Sequence, residues 1–229
     1  MRMQWHNIMR WILVAWFLQL CFYHTKAQVL VSKGSTHVYS VMPLSASDQY
    51  LYHWSASGGT SSIFGTLDTT NQIVWDGPPG VYTISVYPEK AASSCYGDTQ
   101  NLSVRVVTMN VVWLDTFSTQ CPNTDNQSGN FSITASYTGI AGAWSFSYSI
   151  DGTDTVHVNV SSGNYFQLLI PGFRNVSNVA AANHSIRIVS VTTPDHYTVD
   201  FNGLEPDAAT RLYRVTVEPT PGTSGIIQL

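Results

Sequence analysis

Between Phe131 and Ile150 the chain alternates apolar and small polar residues in two consecutive runs. Phe131, Ile133, Ala135 and Tyr137 alternate with Ser132, Thr134, Ser136 and Thr138. Trp144, Phe146, Tyr148 and Ile150 alternate with Ser145, Ser147, Ser149 and Asp151. Successive side chains of an extended strand point to opposite faces, so this pattern buries one face of a sheet and leaves the other to solvent. A helix would scatter the same apolar residues around its circumference. The pattern therefore demands an antiparallel sheet packed on one side.

The stretch from Ile73 to Tyr87 carries the same signal around a break. Ile73 and Trp75 alternate with Val74 and Asp76, and Tyr82, Ile84 and Val86 alternate with Thr83 and Ser85. Asp76-Gly77-Pro78-Pro79-Gly80 can neither continue a strand nor start a helix, so the stretch is predicted to be a β-hairpin. Asp151-Gly152 predicts a second hairpin, into Val156–Val160. Phe166–Ile170, Ile186–Val191, Tyr197–Phe201 and Leu212–Val217 are further strands, and no amphipathic helix is evident after residue 27. The later part of the chain thus has about seven or eight strands, enough for a sandwich of two sheets.

At 229 residues the chain has room for two such sandwiches. The first 27 residues stand apart: Arg2 and Arg10 precede the apolar run Trp11–Phe22, and Thr25-Lys26-Ala27 places small residues where a signal peptidase cuts. Residues 1–27 read as a secretory signal peptide. The run is shorter than the roughly 20 apolar residues of a spanning helix, which argues against membrane insertion of the mature chain. Cys21 follows Leu20, where a lipoprotein signal wants a small residue. Removal of residues 1–27 takes away Arg2, Arg10 and Lys26 and no acid, so the net charge falls from −4 to −7. A sparsely charged acidic chain without a basic cluster argues against nucleic acid as a partner. The remaining cysteines, Cys95 and Cys121, permit one disulfide in an oxidising compartment.

In the first domain, Val29–Val31 and Thr36–Val41 are opening strands on either side of a Gly34-containing break. Tyr50–Trp54 is predicted to be a central strand with Trp54 in the core, and Trp75, Trp113 and Trp144 are predicted to be buried as well. Ser61–Gly65 is a weak edge strand, Glu89–Gln100 a polar loop carrying Cys95, and Leu102–Val106 the closing strand. Met109–Asp115 opens the second domain with almost no linker. The expected division is 1–27 signal peptide, 28–107 first sandwich, 108–218 second sandwich and 219–229 a Pro/Gly-rich tail.

Tyr52-x-Trp54-x-x-x-Gly58-Gly59, Ile73-x-Trp75, Gly80-x-Tyr82-x-Ile84-x-Val86 and Val104-x-Val106 resemble the PKD-like immunoglobulin-type domains over roughly residues 33–107. Ser55-Ala56-Ser57-Gly58-Gly59 stands where standard members carry Asp-Phe-Gly-Asp-Gly. The resemblance implies a surface or envelope protein of the kind found in gliding, type IX-secreting bacteria. No extra C-terminal sorting domain of that system is evident, which favours an envelope-associated companion over a secreted cargo. The second domain reads only as immunoglobulin-like. The expected fold is all-β, with two tandem immunoglobulin-like (PKD-like) sandwiches.

No catalytic constellation stands out. There is no Gly-x-Ser-x-Gly elbow, and His37, His53, His157, His184 and His196 are spread singly rather than in the close pairs that zinc sites favour. The aspartates of Asp151-Gly152-Thr153-Asp154 read as turn formers rather than calcium ligands. Asn-x-Ser sequons occur at Asn101, Asn126, Asn130, Asn159, Asn175 and Asn183, as a Ser/Thr/Asn-rich chain produces by chance. Neither a catalytic residue, a metal ligand nor a cofactor is expected. Two interaction candidates remain. Ile226, Ile227 and Leu229 follow a Pro- and Gly-broken stem and could add as an extended strand to a protein partner. Tyr87, Tyr96 and Tyr165 fall outside the inward phase or in loops, and Tyr87 and Tyr96 could stack a glycan. The expectation is an exported, non-enzymatic structural or protein-interaction module serving adhesion, gliding or secretion, with a carbohydrate-binding module as the alternative and a hydrolase as a third reading.

Overall fold

The computed structural model describes residues 28–42, 50–64, 69–122, 125–201 and 210–220. The signal-peptide segment and Ile226, Ile227 and Leu229 lie outside the described residues. Among the described residues seventeen strands follow one another without a helix. Their sheets pair wholly within two blocks, 29–107 and 110–217.

In the first block the strands are β1 (Val29–Ser32), β2 (Thr36–Ser40), β3 (Tyr50–Ala56), β4 (Thr60–Phe64), β5 (Thr70–Val74), β6 (Gly80–Lys90), β7 (Cys95–Tyr96) and β8 (Gln100–Val107). One sheet has the order β1-β8-β6-β3 with β7 beside β6, and the other has the order β2-β5-β4. The expected hairpin at Ile73–Tyr87 is therefore not formed. β5 pairs with β2 and β4, whereas β6 pairs with β3, β7 and β8. Asp76–Pro79 carries the chain across the sandwich from one sheet to the other. Period-two alternation reports which face is buried, and it is the same whether the next strand lies alongside or opposite. The Gly-Pro-Pro-Gly break also lacks the two-residue chemistry that would bring strands side by side.

The family-like residues pack as one unit here. Trp75 is fully buried and its indole N–H donates to Tyr39 Oη at 3.1 Å. Tyr82 stacks on Trp75 with ring centroids 6.2 Å apart and donates to the Pro78 carbonyl at 2.6 Å. Gly58 lets the Tyr82 ring approach closely, since a Cβ there would fall 2.1 Å from its Cδ1. Gly34, at φ +89°, turns the opening strand from one sheet to the other, so that β1 runs parallel to β8 and β2 antiparallel to β5. Trp54 departs from expectation. β3 is an edge strand that pairs only with β6, and Trp54 is half-buried against the core rather than within it. The polar segment after Glu89 is also partly regular, with β7 folding back on Glu89 and Lys90.

The second block holds β9 (Asn110–Trp113), β10 (Phe117–Gln120), β11 (Phe131–Thr138), β12 (Trp144–Ile150), β13 (Thr155–Val160), β14 (Tyr165–Ile170), β15 (Ala182–Thr192), β16 (Thr198–Asp200) and β17 (Leu212–Val217). Its sheets are β14-β11-β9 and β10-β17-β15-β12-β13, with β16 beside β15. The Asp151-Gly152 hairpin is formed as expected: both residues take positive φ, +51° and +71°, and Thr153 N–H closes the turn on the Ile150 carbonyl at 2.9 Å. Trp113 and Trp144 are buried, and each indole N–H finds a backbone acceptor, Ile186 O at 3.1 Å and Gly163 O at 2.8 Å. Such partners are what buried indoles need. This core is much larger than that of the first block, in which Val31, Ile73, Trp75, Ile84, Val104 and Val106 form the buried cluster.

Both blocks have the strand logic of an immunoglobulin-like sandwich. In the first, β2, β5 and β4 face β3, β6 and β8, the B-E-D and C-F-G pairing of that fold. In the second, β9, β11 and β14 face β17, β15 and β12, with β13 added beside β12. In each, one early strand runs parallel to the last strand, β1 on β8 and β10 on β17.

Candidate functional site

Only Thr108 and Met109 separate β8 from β9, and the two sandwiches meet through a half-buried acid. Asp195 lies in the turn between β15 and β16. Its carboxylate accepts the Ser32 backbone N–H at 2.7 Å and the Ser32 hydroxyl at 2.8 Å, across the join. The hydroxyl of Thr193 also donates to it, and His37 Nε2 lies 3.2 Å away. Burial works to raise the Asp195 pKa, but the hydrogen bonds from His37, Thr193 and Ser32 outweigh it and hold the carboxyl well below the usual range. Beside it, Tyr197 Oη reaches the backbone of Gly34, where a Cβ would stand 2.5 Å from that oxygen.

Ser35, His37 and Asp195 bring together the residue types of a hydrolase triad, but in the wrong geometry. Ser35 Oγ and Asp195 Oδ2 both approach the same ring nitrogen, Nε2 of His37, so the imidazole cannot relay a proton between them. Ser35 Oγ is also committed to the Ser32 carbonyl at 2.6 Å. This cluster joins the two sandwiches. His157 lies between Ser147 Oγ, 3.1 Å away, and Asn159 Oδ1, 3.2 Å away, and both contacts are exposed. His184 donates to Asp151 at 2.7 Å and stacks on Phe173. Burial acts to raise the Asp151 pKa, but the hydrogen bonds from His184 and Ser185 prevail and lower it, so this aspartate braces its own turn. No cluster of His, Cys, Asp or Glu among the described residues could hold a metal ion.

Tyr87 and Tyr96, read from the sequence as outward-facing, come together on the outer face of the first sheet. The pairings His53 with Tyr87 and Glu89 with Tyr96 bring four side chains from β3, β6 and β7 to one corner. His53 stacks on Tyr87 at 4.8 Å between centroids, and Tyr96 packs edge-on to Tyr87 at 5.8 Å. Glu89 meets His53 Nε2 at 2.7 Å. Tyr96 is 66% exposed. No local pattern marks His53 and Glu89 as members of this cluster, because their association depends on the register between strands.

Cys95 and Cys121 are both free and exposed, so the disulfide that their number permits is not made. Each does lie at one end of its own sandwich, but at opposite ends of the molecule. Cys95 is paired with Lys90, at the end of β6 away from the join, and Cys121 follows Gln120, beside Val217 at the far end of the second sandwich.

A cleft lies at the end of the first sandwich away from the join. A cavity of about 150 Å³ is set between Tyr39 of β2 and Leu102 of β8, over Trp54 and Ile84. One of about 310 Å³ is set between Met42 and Asp98, over Tyr52 and Val86.

No protein-family model and no curated protein matches this chain. Solved structures do. The fibronectin(III)-like modules of Clostridium thermocellum CbhA match at 11% identity and a TM-score of 0.34, over 90% of this chain and 98% of that one. The FN1–FN3 domains of chicken CNTN1 match at 11% identity and a TM-score of 0.37, over 84% of this chain and 63% of that one. The Bacteroides ovatus mixed-linkage glucan utilization protein SGBP-B, solved with a mixed-linkage heptasaccharide, matches at 17% identity and a TM-score of 0.23, over 83% of this chain and 43% of its own length. The strand pairing itself defines the class: an all-β chain of immunoglobulin-like β-sandwiches. Among the described residues no helix is long and apolar enough to cross a membrane.

Proposed function

We propose that this chain is an exported, non-enzymatic interaction module of the cell envelope or surface, whose two sandwiches, 28–107 and 108–218, are held in one fixed orientation. The observation that carries this reading is the Asp195 junction, where a second-sandwich carboxylate satisfies a buried first-sandwich backbone amide. A hinge would not invest buried polar contacts in one orientation. The PKD-like residues support a setting in adhesion, gliding or secretion, with the segment Ile226, Ile227 and Leu229 as the strand offered to a protein partner. Affinity purification of the tagged chain from its own cells tests the reading. An envelope protein should be recovered with the intact chain and lost on deletion of residues 226–229, with folding unchanged. Recovery that survives the deletion would contradict the role of that segment.

The aromatic corner favours a second reading, glycan binding. Exposed tyrosine faces stack sugar rings, and a carboxylate such as Glu89 accepts hydroxyl hydrogen bonds. Polysaccharide pull-down that is lost in Tyr87→Ala and Tyr96→Ala would promote this reading, and failure across a broad polysaccharide panel would remove it.

A further inference from the structure

A cavity of about 400 Å³ lies in the second sandwich, where the start of β12 meets the turn that carries Asp195. Its shape follows from the register. Trp144 and Phe146 face the core, so Ser145 between them points the other way. Ser145 stands between Thr192 of β15 and Asn159 of β13, and as the smallest of the three it makes the row dip at the central strand. Pro194 and His196, in the turn after β15, raise a wall beside the dip. That wall is fixed in place. Pro194 packs on Gly142, where a Cβ would stand 3.0 Å from the proline Cβ, and the Thr193 hydroxyl accepts the Tyr197 N–H at 3.2 Å while donating to Asp195.

Two side chains in this cavity lack the partners that their positions call for. Ser145 is only 9% exposed, yet among the described residues its hydroxyl makes no hydrogen bond. Buried hydroxyls are nearly always bonded, so this one is held for something that enters the cavity. His196 has a backbone φ of +62°, and its imidazole likewise makes no hydrogen bond among the described residues. A left-handed position is cheapest for glycine, so the turn itself gives no reason for an imidazole there.

We propose that this cavity binds a neutral sugar ring. Its volume lies within the range of about 300–1,000 Å³ usual for small-molecule sites. Its lining holds no Asp, Glu, Lys or Arg, so neither an anionic nor a cationic ligand would find a counter-charge. The polar groups that it does offer, Ser145, Asn159, Ser161 and His196, each combine donor and acceptor capacity. Sugar hydroxyls have the same double capacity and can satisfy all four, whereas a purely apolar ligand would leave them unpaired. Val160 and Pro194 supply apolar surface for the C–H face of the ring. Because the wall is already fixed through Thr193 and Gly142, little ordering is needed on binding. The site belongs to the second sandwich and is independent of the aromatic corner on the first.

NMR titration of residues 28–229 with glucose, galactose, mannose and N-acetylglucosamine, each as the free sugar and as a short linear oligosaccharide, tests this. At least one of them should shift the amide signals of Ser145, Asn159 and His196. Ser145→Val, which fills the dip, and His196→Gly, which removes the imidazole and relaxes the turn, should each weaken that sugar's affinity roughly tenfold. His196→Gly should leave the melting temperature unchanged or raise it, so that its loss of binding is not a loss of folding. Tyr96→Ala should bind as the parent does. Equal affinity for the free and the chain-linked sugar supports the proposal with the ring alone as ligand, and tighter binding of the oligosaccharide supports it with a chain end as ligand. No shift with any of these sugars, or affinity retained in both cavity variants, would overturn it. Shifts confined to Tyr87 and Tyr96 would overturn it too, while leaving the glycan reading of that corner intact. Glucuronate bound more tightly than every neutral sugar would overturn the neutral class.

Discussion

Asp195 Oδ2 accepts the backbone N–H of Ser32 at 2.7 Å, across 163 residues of sequence and across the join between the two sandwiches. Ser32 is fully buried, so this amide has no water to turn to. Asp195→Ala should leave it unsatisfied, at a cost of about 1–3 kcal/mol. Urea denaturation checks the size of the loss. A variant as stable as the parent would show that the contact is incidental.

The same carboxylate makes the junction acid-sensitive. The groups around it are His37, Tyr39 and Tyr137, and burial together with the Asp195 charge pushes the Tyr137 phenol up to about 12. Because the folded pKa of Asp195 lies below the unfolded value of about 3.9, its contribution is present in full above that value and is lost as pH falls through the folded one. Asp151, lowered through His184 and Ser185, adds in the same direction. Stability measured from pH 7 down to pH 3 should decline, and Asp195→Asn should flatten part of that decline. An unchanged pH profile in the variant would contradict the assignment.

Trp144 is buried between Tyr137 and Phe146, with ring centroids 4.9 and 5.5 Å away. Trp144→Ala should cost about 3–5 kcal/mol. Trp54→Ala, at the rim of the open cleft, should cost distinctly less, and chemical denaturation of the pair tests the ordering.

Gly58→Ala would drive a methyl group into the ring of Tyr82, which is itself stacked on Trp75. Overpacking of this kind costs about 1–3 kcal/mol. The accompanying change should appear in near-ultraviolet circular dichroism, because the Tyr82–Trp75 pair must shift.

Cys95 and Cys121 should both be alkylated without reduction, which mass spectrometry of the denatured chain reads directly. An unmodified chain that gains two labels only after reduction would mean that they are bridged.

Period-two alternation made the all-β fold legible, and residues such as Phe131–Ile150 sit in the strands that it implies. It could not say which strand lies beside which, and so Ile73–Tyr87 read as a hairpin when it joins opposite sheets. β10, Phe-Ser-Thr-Gln, has no apolar rhythm because it is a short edge strand held through its backbone to β17. Trp54 read as a core residue because phase tells direction, not how completely the far side is covered. Tyr87 and Tyr96 are legible as residues outside the inward phase or in a loop, but His53 and Glu89 join them only through register. Asp195 falls between the predicted strands Ile186–Val191 and Tyr197–Phe201 with no local pattern to mark it, and only the tertiary fold brings it to Ser32.

The central claim is that two immunoglobulin-like sandwiches are fixed in one orientation by Asp195. Small-angle X-ray scattering of residues 28–229 tests it most directly when repeated with Asp195→Ala added. The account predicts a single elongated particle whose scattering fits one arrangement of the two sandwiches, and a broader distribution of shapes once Asp195 is removed. Scattering that already requires many orientations with Asp195 in place would contradict it.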